Sequence, residues 1–192
     1  MTCSAPIDAA ILADYWLAVL TETEEMPIEE HLLACDSCGD RLREIIAMAE
    51  SLRKLAAEGN LRIVVSDAFL KRAAEQGARV REYAAQAGGR VECTVTPEDD
   101  LLIGRLAAGF GVAKQVDLTI CDPDGAELAR MVDIPFHERT ASVAFQYPIG
   151  YAKAAPSMKM IFKLVAVDPS GDEVLGEYTF DHTRTMPGPP GW

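Results

Sequence analysis

Three side chains within eight residues could hold a metal: His31, Cys35 and Cys38, in the run His31-Leu-Leu-Ala-Cys35-Asp-Ser-Cys38. On a helix His31 and Cys35 lie one turn apart and point off the same face. Cys38 follows at the Cys-x-x-Cys spacing, at which a tight turn carries two sulfurs to one ion. One imidazole and two thiolates suit Zn²⁺, which takes four donors in a tetrahedron. The fourth donor must come from elsewhere. Cys3 is the expected one, because an antiparallel pairing of the first two helices returns residue 3 to the end of the second. Asp8 is the alternative, through a carboxylate oxygen.

The same residues argue against catalysis. A thioredoxin-like use of Cys35-x-x-Cys38 needs a strand before the helix, and here a helix precedes it. A catalytic zinc keeps an open position beside a general base; Glu29 and Glu30 read as ordinary helix-surface acids. Ser51-Leu-Arg-Lys54 spells Ser-x-x-Lys in mid-helix without its partner motifs. Gly104-x4-Gly109 lacks the Lys-Ser/Thr of a phosphate loop. His137 and His182 stand alone, and Cys93 and Cys121 fall in strand patterns as packed thiols. The expectation is a structural zinc in a protein that is not an enzyme.

The elements that must position these donors follow from periodicity. Ile7–Leu20 carries apolar residues at helical spacing. Thr21-x-x-Glu24 is a capping box for a second helix, although Pro27 allows a later start near Met26. Asp36 or Ser37 can cap a third helix to Ala57, with Leu42, Ile45, Ile46, Ala49, Leu52 and Ala56 as its stripe and Gly59 as its stop. Ser66 caps a fourth, ended by Gly77. A helical unit over residues 1–77 would have a marginal core, which a metal staple would offset.

After Gly77 the period becomes two. Val80–Tyr83 and Val91–Val95 flank Gly88-Gly89, a hairpin signal. Leu101–Leu106, Val116–Ile120, Ala126–Met131, Ser142–Phe145, Lys159–Val167 and Glu173–Phe180 follow. Turn sequences such as Asp122-Pro123-Asp124-Gly125 and Asp168-Pro169-Ser170-Gly171 separate them. The expected fold is α+β: a small zinc-stapled four-helix unit at residues 1–77, then an antiparallel Ig-like β-sandwich at 78–184. Residues 185–192, rich in Pro and Gly, read as a disordered tail.

Composition narrows the partners. The 192-residue chain carries a formal net charge of −12, which disfavours direct nucleic-acid binding. Residues 1–40 hold nine Asp/Glu and no Lys or Arg, an acidic head that could steer onto a basic protein surface. No run reaches the roughly 20 apolar residues of a membrane span. The N-terminus has no basic region followed by an apolar core, so no signal peptide is expected and the localisation reads as cytoplasmic.

Leu12-Ala-Asp-Tyr-Trp-Leu17, then Ile28-Glu-Glu-His-Leu-Leu-Ala-Cys-Asp-Ser-Cys38, then an amphipathic helix resemble the zinc-binding anti-sigma factors, over residues 1 to 75. The family's mark is His-x3-Cys-x2-Cys with one upstream His or Cys. Its upstream position, 25 residues before the histidine in many members, falls here on Pro6; Cys3 is the nearby donor. The resemblance implies a cytoplasmic transcription regulator whose helices sequester an extracytoplasmic-function (ECF) type sigma factor. It also makes a redox response available, since some members lose zinc when the Cys pair forms a disulfide. The β half would be a sensory or docking module whose ligand the sequence does not name. The alternative is a zinc-stapled protein-interaction module with an Ig-like sensory domain, serving another regulatory complex.

Overall fold

The computed structural model describes Cys3, residues 5–136, residues 141–188 and Gly191; His137 lies outside the described residues. By contact the chain divides into two compact units, Met1–Leu55 and Ala56–Trp192. The sequence division after Gly77 is therefore too late.

In the first unit α1 (Ala9–Trp16), α2 (Glu22–Ala34) and α3 (Asp36–Ala57) follow one another closely. Asp8 caps α1, its Oδ1 accepting from the Ala10 N–H at 2.8 Å. α1 is shorter than its apolar pattern suggested, because Ala18 turns left-handed at φ 53°. The capping box sets the start of α2: Glu24 Oε2 accepts from both the Thr21 N–H (2.8 Å) and the Thr21 hydroxyl (2.7 Å). Pro27 consequently sits inside the helix, where it costs one backbone hydrogen bond. Tyr15 Oη donates to Glu29 (3.3 Å), and the Arg53 guanidinium lies 4.4 Å from the Trp16 ring centroid. Few apolar side chains are buried here: Leu12, Ile28 and Cys38.

The second unit begins with the end of α3 and contains β1 (Ile63–Val65), α4 (Asp67–Glu75), β2 (Val80–Ala85), β3 (Arg90–Cys93), β4 (Leu101–Ala107), β5 (Val116–Cys121), β6 (Glu127–Met131), β7 (Ser142–Tyr147), α5 (Ile149–Ala154), β8 (Met158–Ala166) and β9 (Glu173–His182). Two sheets form, in the orders β1-β7-β4-β2 and β3-β9-β8-β5-β6. They share one core, in which Leu106, Phe145 and Tyr147 of the first meet Leu118, Phe162, Leu164, Tyr178 and Phe180 of the second. The Phe145 and Phe162 centroids are 4.9 Å apart. On the outer face of the first sheet, α4 packs Phe69, Leu70 and Ala73 against Leu101, Ile103 and Ala144. Ser66 caps α4 as expected, its side chain accepting from the Phe69 N–H at 3.2 Å.

Three expectations change. Residues 60–77 belong to the β unit, because β1 pairs with β7 and α4 covers that sheet. The sheets are mixed rather than antiparallel: β2 pairs parallel with β4, and β3 parallel with β9. Gly88-Gly89 closes no hairpin. It reverses the chain while carrying it to the other sheet, where the Gly88 N–H donates to Glu177 O (2.8 Å) and Gly89 O accepts from Thr179 N–H (2.9 Å). Turn chemistry reports a reversal; it does not choose the strand that the chain pairs with next. The tail is also partly anchored, since Thr185 Oγ1 donates to Val95 O at 2.5 Å.

Candidate metal centre

Residue types and helix ends build the site in the first unit. His31 lies on the last turn of α2. Cys35 alone joins α2 to α3, in extended backbone at φ −134° and ψ 97°, which breaks the helix and turns the chain at the ligand. Cys38 sits in the first turn of α3; its N–H donates to Cys35 O at 3.2 Å and the Gly39 N–H donates there at 3.1 Å. Cys3 arrives on the segment before α1, which Arg41 Nη1 holds by donating to Ile7 O at 3.2 Å.

These four residues converge. Cys3 Sγ is 3.5 Å from His31 Nε2, His31 Nε2 is 3.2 Å from Cys38 Sγ, and the Cys38 and Cys3 sulfurs are 4.0 Å apart. All four ligand atoms, Cys35 Sγ included, lie within 4.8 Å of one another. With Zn–S near 2.3 Å and Zn–N near 2.0–2.1 Å, the edges of a zinc tetrahedron are about 3.5–3.8 Å. The observed separations bracket that length. Three sulfurs and one imidazole nitrogen are also the donor set that zinc prefers over harder cations. The cluster fits a Cys₃His zinc site, and the donors present supply all four positions. Asp8 is not among them, because its carboxylate is spent on the α1 cap.

The thiols differ electrostatically. Cys35 is lowered to about 7, chiefly by a backbone hydrogen bond from Cys38, then by Cys3, Cys38 and His31 around it. Cys3 moves the other way: a backbone hydrogen bond at Ala5 lowers it, but burial and the neighbouring Cys35 and Cys38 thiols outweigh that pull. A metal held here would be bound by thiolates, so binding releases protons and weakens in acid.

The other sequence candidates take structural roles. Ser51 Oγ donates to Ala47 O at 2.8 Å within α3. Gly104 lies beneath the Phe145 ring, which an added Cβ would meet at once. One neighbourhood escaped the sequence: His182 and Cys93 are register partners across β9 and β3, and Met158 of β8 stands opposite His182. The only local signal was the inward phase of each strand, and the pairing joins residues 89 positions apart.

No protein-family model matches the chain, and no curated protein does. Among solved structures, the N-terminal domain of phage TP901-1 ORF48 aligns with 55% of this chain and 99% of its own, at 5% identity and a TM-score of 0.35. A likeness at that score bears on neither fold detail nor function. No helix among the described residues is long and apolar enough to cross a membrane.

Proposed function

We propose that the N-terminal unit is a zinc-stapled protein-binding clamp of the anti-sigma type, which sequesters an ECF-type sigma factor in the cytoplasm and has no enzymatic activity. The observation that carries this reading is the closed Cys3/His31/Cys35/Cys38 donor set at the α2–α3 junction. Zinc held by those residues supplies fixation, and four protein donors leave no position for substrate. The surface around it supports a binding role. Ile11, Met26, Leu33, Met48 and Leu52 are exposed, Leu33 at 90%, on a unit whose first 40 residues carry no positive side chain. Apolar anchors rimmed by acid suit a basic protein partner.

The β unit serves as an accessory module, a variant of the Ig-like sandwich in which β4 and β7 face β5, β8 and β9. Oxidation can report through the staple: two thiolates yield a disulfide and pass two electrons to a peroxide, whose O–O bond breaks and which takes up two protons to leave as two waters, or as one water and one alcohol.

Partner capture tests the proposal. Tagged full-length protein recovered from its native cell carries one zinc and an equimolar sigma factor, and Cys3→Ser loses both. Recovery of a different stoichiometric partner, with zinc present, would replace the sigma reading with the interaction-module reading. Full zinc content in Cys3→Ser would remove Cys3 from the site. Peroxide that releases zinc while the partner stays bound would separate the staple from any oxidant response.

A further inference from the structure

The β unit contains a second feature with ligand chemistry, independent of the metal cluster and of any sigma partner. Between the two sheets, under α5, lies a cavity walled by Gly104, Phe145 and Tyr147 on one side and by Met160, Phe162 and Phe180 on the other. Its empty volume is about 460 Å³ with the open mouth included, and about 40 Å³ of that admits the centre of a water-sized sphere. One water needs about 10–15 Å³ by that measure, so the inner space takes a row of a few non-hydrogen atoms. Met158, Met160 and the 40%-exposed Tyr151 stand around it, and unbranched thioether side chains re-pack easily around a guest.

The lining is apolar with one conspicuous exception. His182 is 94% buried, being 6% exposed, and lines the cavity, yet its Nε2 has no hydrogen-bond partner. Buried polar atoms are almost always paired, and one that is not calls for a reason. The other polar groups nearby are already engaged. Tyr83 Oη donates to Thr94 O (2.8 Å) and accepts from Thr94 N–H (2.9 Å), and Tyr147 Oη donates to Met160 Sδ (3.4 Å).

We propose that this cavity binds a small uncharged ligand, an apolar body bearing a single hydroxyl, with His182 Nε2 pairing the hydroxyl and the aromatic and methionine walls taking the body. A hydroxyl both donates and accepts, so it satisfies Nε2 in either imidazole tautomer. Charge is disfavoured on both sides of the contact. Burial holds the His182 imidazole below its ordinary pKa, against an opposing pull from the Ala152 backbone. Burial likewise pushes the neighbouring Cys93 thiol up to about 11, so it stays protonated. Among the described residues the lining itself carries no Asp, Glu, Lys or Arg to pair an anion or cation; Arg184 and Asp181 act on His182 and Cys93 from outside it. Short-chain alcohols of a few non-hydrogen atoms are the ligand class that matches one polar atom in an otherwise apolar slot of this size.

1-Propanol and 1-chloropropane, which share a short chain and differ in the hydroxyl, test this on the full-length zinc-loaded protein. Imidazole ¹⁵N resonances and ring-current shifts of Phe145 and Phe162 report binding. 1-Propanol is expected to bind saturably and to shift the His182 Nε2 resonance, with 1-chloropropane at least tenfold weaker. This comparison on the unaltered chain needs no variant to fold. His182→Leu then brings 1-propanol down to the 1-chloropropane level. Ala152→Leu, which fills space at the α5 wall, abolishes both. Equal affinity for the two would overturn the role of His182, and absence of saturable binding by either would overturn the site.

Discussion

The two units of this chain solve the same stability problem in opposite ways. The β unit buries its apolar side chains in two clusters, one between its sheets and one under α4, with Leu101, Ile103, Leu106, Leu118, Leu164 and Tyr178 fully enclosed. The helical unit encloses Leu12, Ile28 and Cys38 and leaves Ile11, Leu17, Val19, Met26, Leu33, Met48 and Leu52 in solvent. Fifty-five residues with so little burial cannot offset the entropy of ordering three helices. A metal held by Cys3, His31, Cys35 and Cys38 would do so by another route, and would leave the apolar surface free for the proposed partner. A unit that needs its apolar side chains inside cannot also display them.

Metal removal is the strongest way to break this contrast. Chelation is expected to melt α1 to α3, since structural zinc contributes on the order of 10–16 kcal/mol in small zinc peptides. Amide protection in β4, β5 and β8 should persist, as read by hydrogen exchange. If helices and strands lost protection together, the units would not be energetically distinct. Cys3→Ser should lower zinc affinity by more than the roughly 10–100-fold that loss of an outer-shell partner costs, measured by chelator competition.

Phe162→Ala is the mirror experiment. Its ring contacts Phe145, Tyr147 and Phe180, so truncation is expected to cost about 3–5 kcal/mol. The loss should appear in the β unit's denaturant transition alone, with zinc affinity unchanged.

A smaller effect tests the polar part of the β unit. Asp117 is buried; burial raises its pKa, but the Asp133 N–H (2.9 Å) and the Arg130 guanidinium (3.0 Å) outweigh that and hold it low. A carboxylate whose folded pKa lies below its unfolded value of about 3.9 contributes stability above that pH. The contribution is lost as pH falls through the folded value. Asp117→Asn should therefore cost about 2 kcal/mol at neutral pH and flatten the acid limb of the β unit's stability curve. An unchanged limb would assign the acid sensitivity elsewhere, Asp99 being the next candidate, since its Arg81 pair is of the same kind.

The smallest expected effect lies in the α2 cap. Thr21→Ala removes the hydroxyl partner of Glu24 and should cost about 1 kcal/mol, visible as a shift in the zinc-dependent helical transition. Leu33→Ser, on the exposed surface, should change stability by less than about 0.5 kcal/mol while weakening partner binding.

Local features were legible in the sequence because their causes are local. The capping box at Thr21 and Glu24, the Ser66 cap, the stops at Gly59 and Gly77, and the His31/Cys35/Cys38 spacing each involve residues a turn or two apart. The strands β4, β5, β8 and β9 were likewise visible from alternation, and the turn sequences after β5 and β8 marked their hairpins. Periodicity overran α1, where apolar residues continue past the helix; of the two starts open for α2, the capping box at Thr21 won over the later one that Pro27 allowed.

What the sequence alone determined, then, is the set of local elements and three of the four candidate metal donors. Tertiary structure decided which strands became neighbours, that Cys3 rather than Asp8 completes the cluster, and that His182, Cys93 and Met158 share one cavity. The reason is the range of the interactions. A cap or a Cys-x-x-Cys turn closes a loop of a few residues. The β3–β9 pairing closes one of nearly ninety, at an entropic cost that grows only slowly with length. With many distant partners comparably accessible, burial across the whole core selects among them.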